Sequence, residues 1–219
     1  MLQENIETLE ERILRAAQRC GRRREDITLI AVTKVFPVAA ILDAYAAGLR
    51  DFGENYVQEF EGKFPLVRHL DGARFHLIGH LQSNKSKKAG EMFQIIQTVD
   101  SAKLARRLNE LNVPLEVMIE VKLSEEEAKH GAAPGELPAL IEAINTCSNL
   151  RLSGLMTMPP WDLDPERPRP YFRRLRGLAE QFRLAKLSMG MTNDFETAIE
   201  EGATHIRIGT ALFGKRKKL

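Results

Sequence analysis

One pattern narrows the choice of fold more than any other. Short, β-branched apolar runs of strand length alternate with segments of helical period along the whole chain. Ile27–Thr33, Asp51–Gly53, Arg74–Gly79, Ile95–Val99, Leu115–Val121, Leu150–Met156, Leu184–Ser188 and His205–Ile208 read as strands. Between them lie a helix opened by Pro37 and closed by Gly48, and one starting at Asn55. Others follow at Ser86–Met92, Ala102–Leu111, Glu136–Ile144, Tyr171–Phe182 and Asp194–Glu201. Val38, Ile41, Leu42 and Tyr45 mark the apolar face of the first of these. Repeated βα units imply a parallel sheet with right-handed crossovers. Eight of them suit a closed TIM-type (β/α)8 barrel, with an open doubly wound sheet as the competing arrangement. The 219 residues lie between the low end and the typical size of such barrels, about 200 and 250. An extra amino-terminal helix, Asn5 to Cys20, precedes the repeat, with Ile6, Leu9, Ile13 and Leu14 on its apolar face. With no second-domain boundary in sight, residues 1–219 read as a single domain. The proline-rich stretch Pro159–Pro170 reads as the loop after the sixth strand.

Composition limits the partners. An apolar content of 43% supplies a core that needs no disulfide or metal staple. The net charge of +2 comes from 32 basic and 30 acidic residues, without the clustered excess of a nucleic-acid binder. Lys215–Lys218 reads as a solvated basic tail. Cys20 and Cys147 stand far apart, which fits a reducing compartment, and no metal-ligand motif is present. The amino terminus is acidic and helical rather than basic and then apolar, so it does not read as a secretory signal. No apolar run approaches the ~20 residues of a membrane span. A soluble, cytoplasmic protein is expected.

Chemistry concentrates at the carboxyl ends of the strands, the functional face of a barrel. Lys34 stands at the end of the first strand, where a partly desolvated amine can attack an aldehyde; a solvated strand-end lysine is the plain alternative. The loops after strands seven and eight read Ser188-Met-Gly-Met-Thr-Asn193 and Gly209-Thr-Ala-Leu-Phe-Gly214. Barrels commonly hold phosphate there, with Gly190 and Gly209 admitting backbone amides and Ser188 and Thr210 adding hydroxyls. Two ordinary glycine-bearing turns would look the same. Asn193 and Glu196 have capping-box spacing. Arg207, between Ile206 and Ile208, needs a partner: a ligand nitrogen, a carboxylate or a structural ion pair. His76 and His80 are proton-shuttle candidates or hydrogen-bonded structural histidines.

Several strings run through nearly the whole chain in the order of one family. They are Ala31-Val-Thr-Lys34, Phe52-Gly-Glu-Asn-Tyr-Val-Gln-Glu59, His76-Leu-Ile-Gly-His-Leu-Gln-Ser-Asn-Lys85, Gly154-Leu-Met-Thr-Met158, Leu187–Asp194 and Arg207–Gly214. The chain resembles the YggS/PROSC family of pyridoxal 5′-phosphate (PLP) homeostasis proteins. The resemblance implies a fold-type III PLP barrel, similar to the amino-terminal half of alanine racemases, with Lys34 as the Schiff-base lysine. It implies Ser188, Gly190, Met191, Gly209 and Thr210 around the phosphate, Arg207 facing the pyridine nitrogen, and Asn55 near the ring. Lys129 and Gly131 stand at their family positions. The proline-rich loop is individual to this chain and is expected to lie away from the cofactor. The resemblance further implies a monomeric carrier or regulator of PLP supply serving PLP-dependent apoenzymes, without turnover. The β-rich domain from which racemases bring their second acid/base has no counterpart in the strings. A PLP racemase or lyase, or a Schiff-base aldolase, is the alternative.

Overall fold

The computed structural model describes residues 1–126 and 130–214. Eight strands close into a barrel in which every neighbouring pair is parallel. They are β1 (Thr28–Val32), β2 (Asp51–Glu54), β3 (Arg74–Leu77), β4 (Ile95–Val99), β5 (Leu115–Glu120), β6 (Leu150–Met156), β7 (Lys186–Ser188) and β8 (His205–Ile208). The helices are α1 (Leu2–Arg19), α2 (Val38–Ala46), α3 (Val57–Val67), α4 (Ser86–Met92), α5 (Ala102–Asn109), α6 (Leu137–Asn145), α7 (Arg169–Gln181), α8 (Phe195–Glu200) and α9 (Thr210–Phe213). Pairing of β8 with β1, Thr28 opposite His205 and Ile30 opposite Arg207, excludes the open sheet.

The amino-terminal helix has a structural task. Among the described residues the last strand is followed only by the four-residue α9, too short to cover the seam between β8 and β1. Helix α1 lies against α8 and α9 and covers that seam. Ile6, Leu9, Ile13, Ala16 and Ala17 are buried on this helix. Asn5 donates to the Leu212 carbonyl, and Arg22 donates to the carbonyls of Ile199 and Ala203. Leu14, expected on the apolar face, is exposed instead, as is Leu42 on α2. Small alanines bring α1 close to the barrel, so its buried stripe is narrower than the count of large side chains suggests. Helix α7 begins at Arg169, two residues earlier than expected, because Pro170 in its first turn lacks only an amide that has no intrahelical acceptor there.

The strands sort their side chains by the period of two. Leu29, Phe52, Phe75, Leu77, Ile96, Val117, Ile119, Leu187, Ile206 and Ile208 point outward into one apolar cluster with the helices. The inward set is unusually polar: Asp51, His76, Gln97, Glu116, Glu120, Ser188, His205 and Arg207, beside Ile30, Val32, Met118 and Met156. Beneath α3 the outward layer is aromatic. Phe60 is fully buried and meets Phe75 and Phe93 with ring centroids 4.9 Å apart in each pair. Among the described residues no helix is long and apolar enough to cross a membrane. Phe60→Ala should empty this layer and cost about 3–5 kcal/mol. A urea titration reads that as a lower midpoint with an unchanged slope.

Candidate cofactor-binding site

At the carboxyl-terminal mouth of the barrel a cavity of about 440 Å³ is lined by Lys34, Asn55, Met191, Arg207, Gly209 and Thr210, together with Val32, Ile78 and the β6 loop. Six of the eight residues expected around a ligand therefore share one wall. The size suits a small ligand, for which sites run from about 300 to 1,000 Å³.

Lys34 sits two residues beyond β1, in a turn closed by the Phe36 amide on the Thr33 carbonyl. The next residue, Val35, has φ +65. For a β-branched side chain that conformation is an outlier worth about 1–3 kcal/mol of strain. It persists because the turn is clamped from α3. Lys63 donates to the Thr33 carbonyl at 3.0 Å, to Glu54 at 2.9 Å and to Glu59 at 2.6 Å. Glu59 in turn accepts the Val35 amide at 2.6 Å, and Thr33 Oγ1 donates to Glu54. Glu54 is fully buried, and burial raises its carboxyl pKa despite the pull of Lys63 and Thr33. Glu54, Glu59 and Lys63 position Lys34 without lining the cavity. The only sequence hint of this clamp was a lysine four residues after a glutamate on a helix.

Arg207 is 2% exposed. It donates to Ser188 Oγ at 2.7 Å and to the Thr157 carbonyl at 2.9 Å, and makes no ion pair among the described residues. Burial pulls its guanidinium down to about 10, against the opposing fields of Asp194 and Glu120. The structural ion pair left open by the sequence is therefore not what holds it. Ser188 lies apart from the cavity-lining residues. It is fully buried below Arg207 and does not line the cavity, and its hydroxyl donates to Gln97 Oε1 at 2.6 Å. Its place on the inward face of β7 aims the hydroxyl across the barrel, where it orients Arg207. The chain continues from Gln97 Nε2 to His76 Nδ1 (2.9 Å), and from His76 Nε2 to Asp51 (2.8 Å), which also pairs with Arg74. Burial pushes the His76 pKa down, so this histidine is a neutral structural link. Burial works to raise Asp51, but the bonds from His76 and Arg74 outweigh it and keep the carboxylate charged.

Gly190 is also set apart from the cavity-lining residues. It lies behind the cavity wall, with φ +91, and a Cβ there would stand 2.5 Å from Ala198 Cβ and 3.0 Å from Phe195 Cα. Glycine is required here by the turn and by close packing on α8. At Gly209, which lines the cavity, a Cβ would meet only Val32, at 3.5 Å. The capping box does not form. Asn193 donates to the carbonyls of Asp162 and Leu163, Glu196 pairs with Arg12, and the Met191 amide is taken by Asp194 at 2.6 Å. The proline-rich loop, expected to lie away, reaches the cavity wall through Trp161 and Asp162. Its position after β6 at the functional face was the signal. Asn55 Oδ1 is buried in the wall without a hydrogen-bond partner among the described residues. Lys129 and the Lys215–Lys218 tail lie outside the described residues.

The alanine racemase N-terminal domain family matches residues 5–217. The pyridoxal phosphate homeostasis protein of Pseudomonas aeruginosa is 47% identical, over 97% of this chain and 95% of the relative. The chain belongs to this family. The protein of the same name from Aquifex aeolicus is 42% identical, over 98% of both chains. PipY from Synechococcus elongatus, solved with PLP bound, is 37% identical with a TM-score of 0.86, covering 98% of this chain and 100% of that one. An alanine racemase from Clostridium difficile shares the fold alone: 14% identity, TM-score 0.67, over 95% of this chain and 57% of the racemase. Within this homeostasis-protein barrel the two loop glycines should behave differently. Gly190→Ala should cost about 1–3 kcal/mol, whereas Gly209→Ala should stay within about 1 kcal/mol of the parent. Denaturant midpoints of the two variants check this.

Proposed function

We propose that this chain binds PLP in the mouth cavity, joined to Lys34 Nζ as a Schiff base, and serves PLP homeostasis as a carrier without turnover. What supports the reading is one convergence. An amine on a clamped turn, a buried arginine with no carboxylate partner and an Asn55 oxygen with no hydrogen-bond partner, among the described residues, share a cavity in a chain 37% identical to a protein solved with PLP. These groups fit PLP: Lys34 for the aldehyde, Arg207 for the pyridine nitrogen, and Met191, Gly209 and Thr210 for the phosphate. When bound, PLP supplies an electrophilic aldehyde carbon. The protein's residues do the rest. Ser188 and the Thr157 carbonyl hold Arg207 in place, and Lys63 and Glu59 fix the backbone that carries Lys34.

The same wall disfavours turnover. An arginine at the pyridine nitrogen keeps it unprotonated and weakens the ring as an electron sink. The two carboxylates of the cavity, Asp162 and Asp194, already accept the Asp164 and Met191 amides. That engagement leaves them poor partners for Lys34 in a two-base reaction. The carrier works as a cytoplasmic monomer that hands PLP to PLP-dependent apoenzymes.

The purified protein should be yellow, and borohydride should fix the cofactor on the peptide containing Lys34. Lys34→Ala should lose both signals, and an adduct on another lysine would overturn the assignment. In deuterated water, PLP-loaded protein should exchange the α-hydrogen of L- and D-amino acids no faster than free PLP. Faster exchange that depends on Lys34 would restore the racemase or lyase reading.

A further inference from the structure

Trp161, the single tryptophan of the chain, is 70% exposed, yet it lines the mouth cavity together with Lys34, Met191 and Arg207. Apolar side chains scattered over a surface need no explanation. One fixed at the entrance of a binding cavity does, and the loop around Trp161 is tied down on both sides.

On the amino-terminal side the loop leaves the barrel at Thr157, which is buried just past β6. Its amide donates to the Ser188 carbonyl at 3.1 Å, its hydroxyl donates to the Val121 carbonyl at 2.9 Å, and its carbonyl accepts Arg207. Only Met158 and two prolines separate this anchor from Trp161, and each proline ring locks one backbone torsion. On the carboxyl-terminal side Asn193, from the loop after β7, donates to the carbonyls of Asp162 and Leu163 at 2.9 and 3.1 Å. Asp162 then accepts the Asp164 amide, Asp164 accepts the Glu166 amide, and Glu166 pairs with Arg169 at the start of α7. The indole is thus carried between two anchors at the rim of the cavity, with most of its apolar surface in water. A planar aromatic ligand in the cavity offers that surface a partner, and aromatic rings gain from such contact beyond the area they bury.

We propose that Trp161 retains the cofactor: its indole packs against bound PLP at the open side of the cavity and slows release. The inference rests on the reading that PLP occupies this cavity on Lys34, and extends it to the rate of escape. Release consumes one water, whose oxygen becomes the aldehyde oxygen of PLP and whose two hydrogens restore the Lys34 amine. The indole excludes that water and holds the freed ligand back. Contacts of this kind act mostly on dissociation, and for a carrier the dissociation rate sets how long the cargo is kept.

The test uses the full chain loaded with PLP and mixed with hydrazide-coated beads, which capture only PLP that has left the protein. Decay of the yellow band gives the release rate. Trp161→Ala should release PLP about tenfold faster, with the borohydride adduct still on Lys34, and Trp161→Phe should stay within about threefold of the parent. Leu163→Ala is the control: Leu163 is 78% exposed on the same loop but does not line the cavity, so release should match the parent. A second readout needs no variant. N-bromosuccinimide should oxidise the indole of the unloaded protein, and PLP should slow that oxidation about fivefold, read by mass spectrometry of the Trp161 peptide. Unchanged release in Trp161→Ala, equal acceleration in Leu163→Ala, or oxidation indifferent to PLP would overturn the proposal and leave PLP on Lys34. A parent protein that takes up no PLP would overturn the carrier reading and this inference with it.

Discussion

The site depends on keeping an arginine charge inside a barrel with no ion pair among the described residues. Arg207 is held by a hydroxyl and a carbonyl, and the hydroxyl is the first link of a line that crosses the interior. From Ser188 on β7 the line passes to Gln97 on β4, His76 on β3 and Asp51 on β2, ending at Arg74 near the floor. Every buried donor in it has an acceptor, and that lets a closed barrel tolerate so many polar side chains. The charge at the mouth is thus tied to an arginine–aspartate pair at the other end. Removing any link would leave its neighbours buried and unpaired, at about 1–3 kcal/mol per orphaned group.

The second constraint is the turn that carries Lys34. A valine in a left-handed conformation is strained, and an isolated turn would relax. The clamp of Lys63, Glu54 and Glu59 prevents this from outside the cavity, through backbone atoms on both sides of Lys34. The lysine and the arginine approach the same cavity from adjacent strands, β1 and β8, each held by residues that never line it. Such support keeps a binding geometry tight while the mouth loops vary. The proline-rich loop illustrates this: its residues touch the cavity, yet the positioning groups lie elsewhere.

How far the sequence could be read depended on whether a residue's task is local. The strand runs, the helix periods and the eightfold repeat are local, and their boundaries shifted by only a few residues. Lys34, Asn55, Met191, Arg207, Gly209 and Thr210 could be placed because the end of each strand marks the functional face. Ser188 and Gly190 belong to the same string, yet their roles are set by what stands across the barrel or against α8: Gln97 and Arg207 for one, Ala198 and Phe195 for the other. The Asn193–Glu196 spacing satisfied a capping rule, but Asn193 is drawn to the carbonyls of the β6 loop and Glu196 to Arg12 on α1.

The sequence by itself determined the barrel, the amino-terminal helix as an addition to it and the face on which chemistry would gather. Periodicity and chain order encode these directly. Only the tertiary structure decided that the barrel interior is a polar line and that α1 seals the β8–β1 seam. Alternation along a strand says which residues share a face. It does not say which of the other seven strands they will meet, and for a buried polar group that meeting decides its charge, its partner and its function.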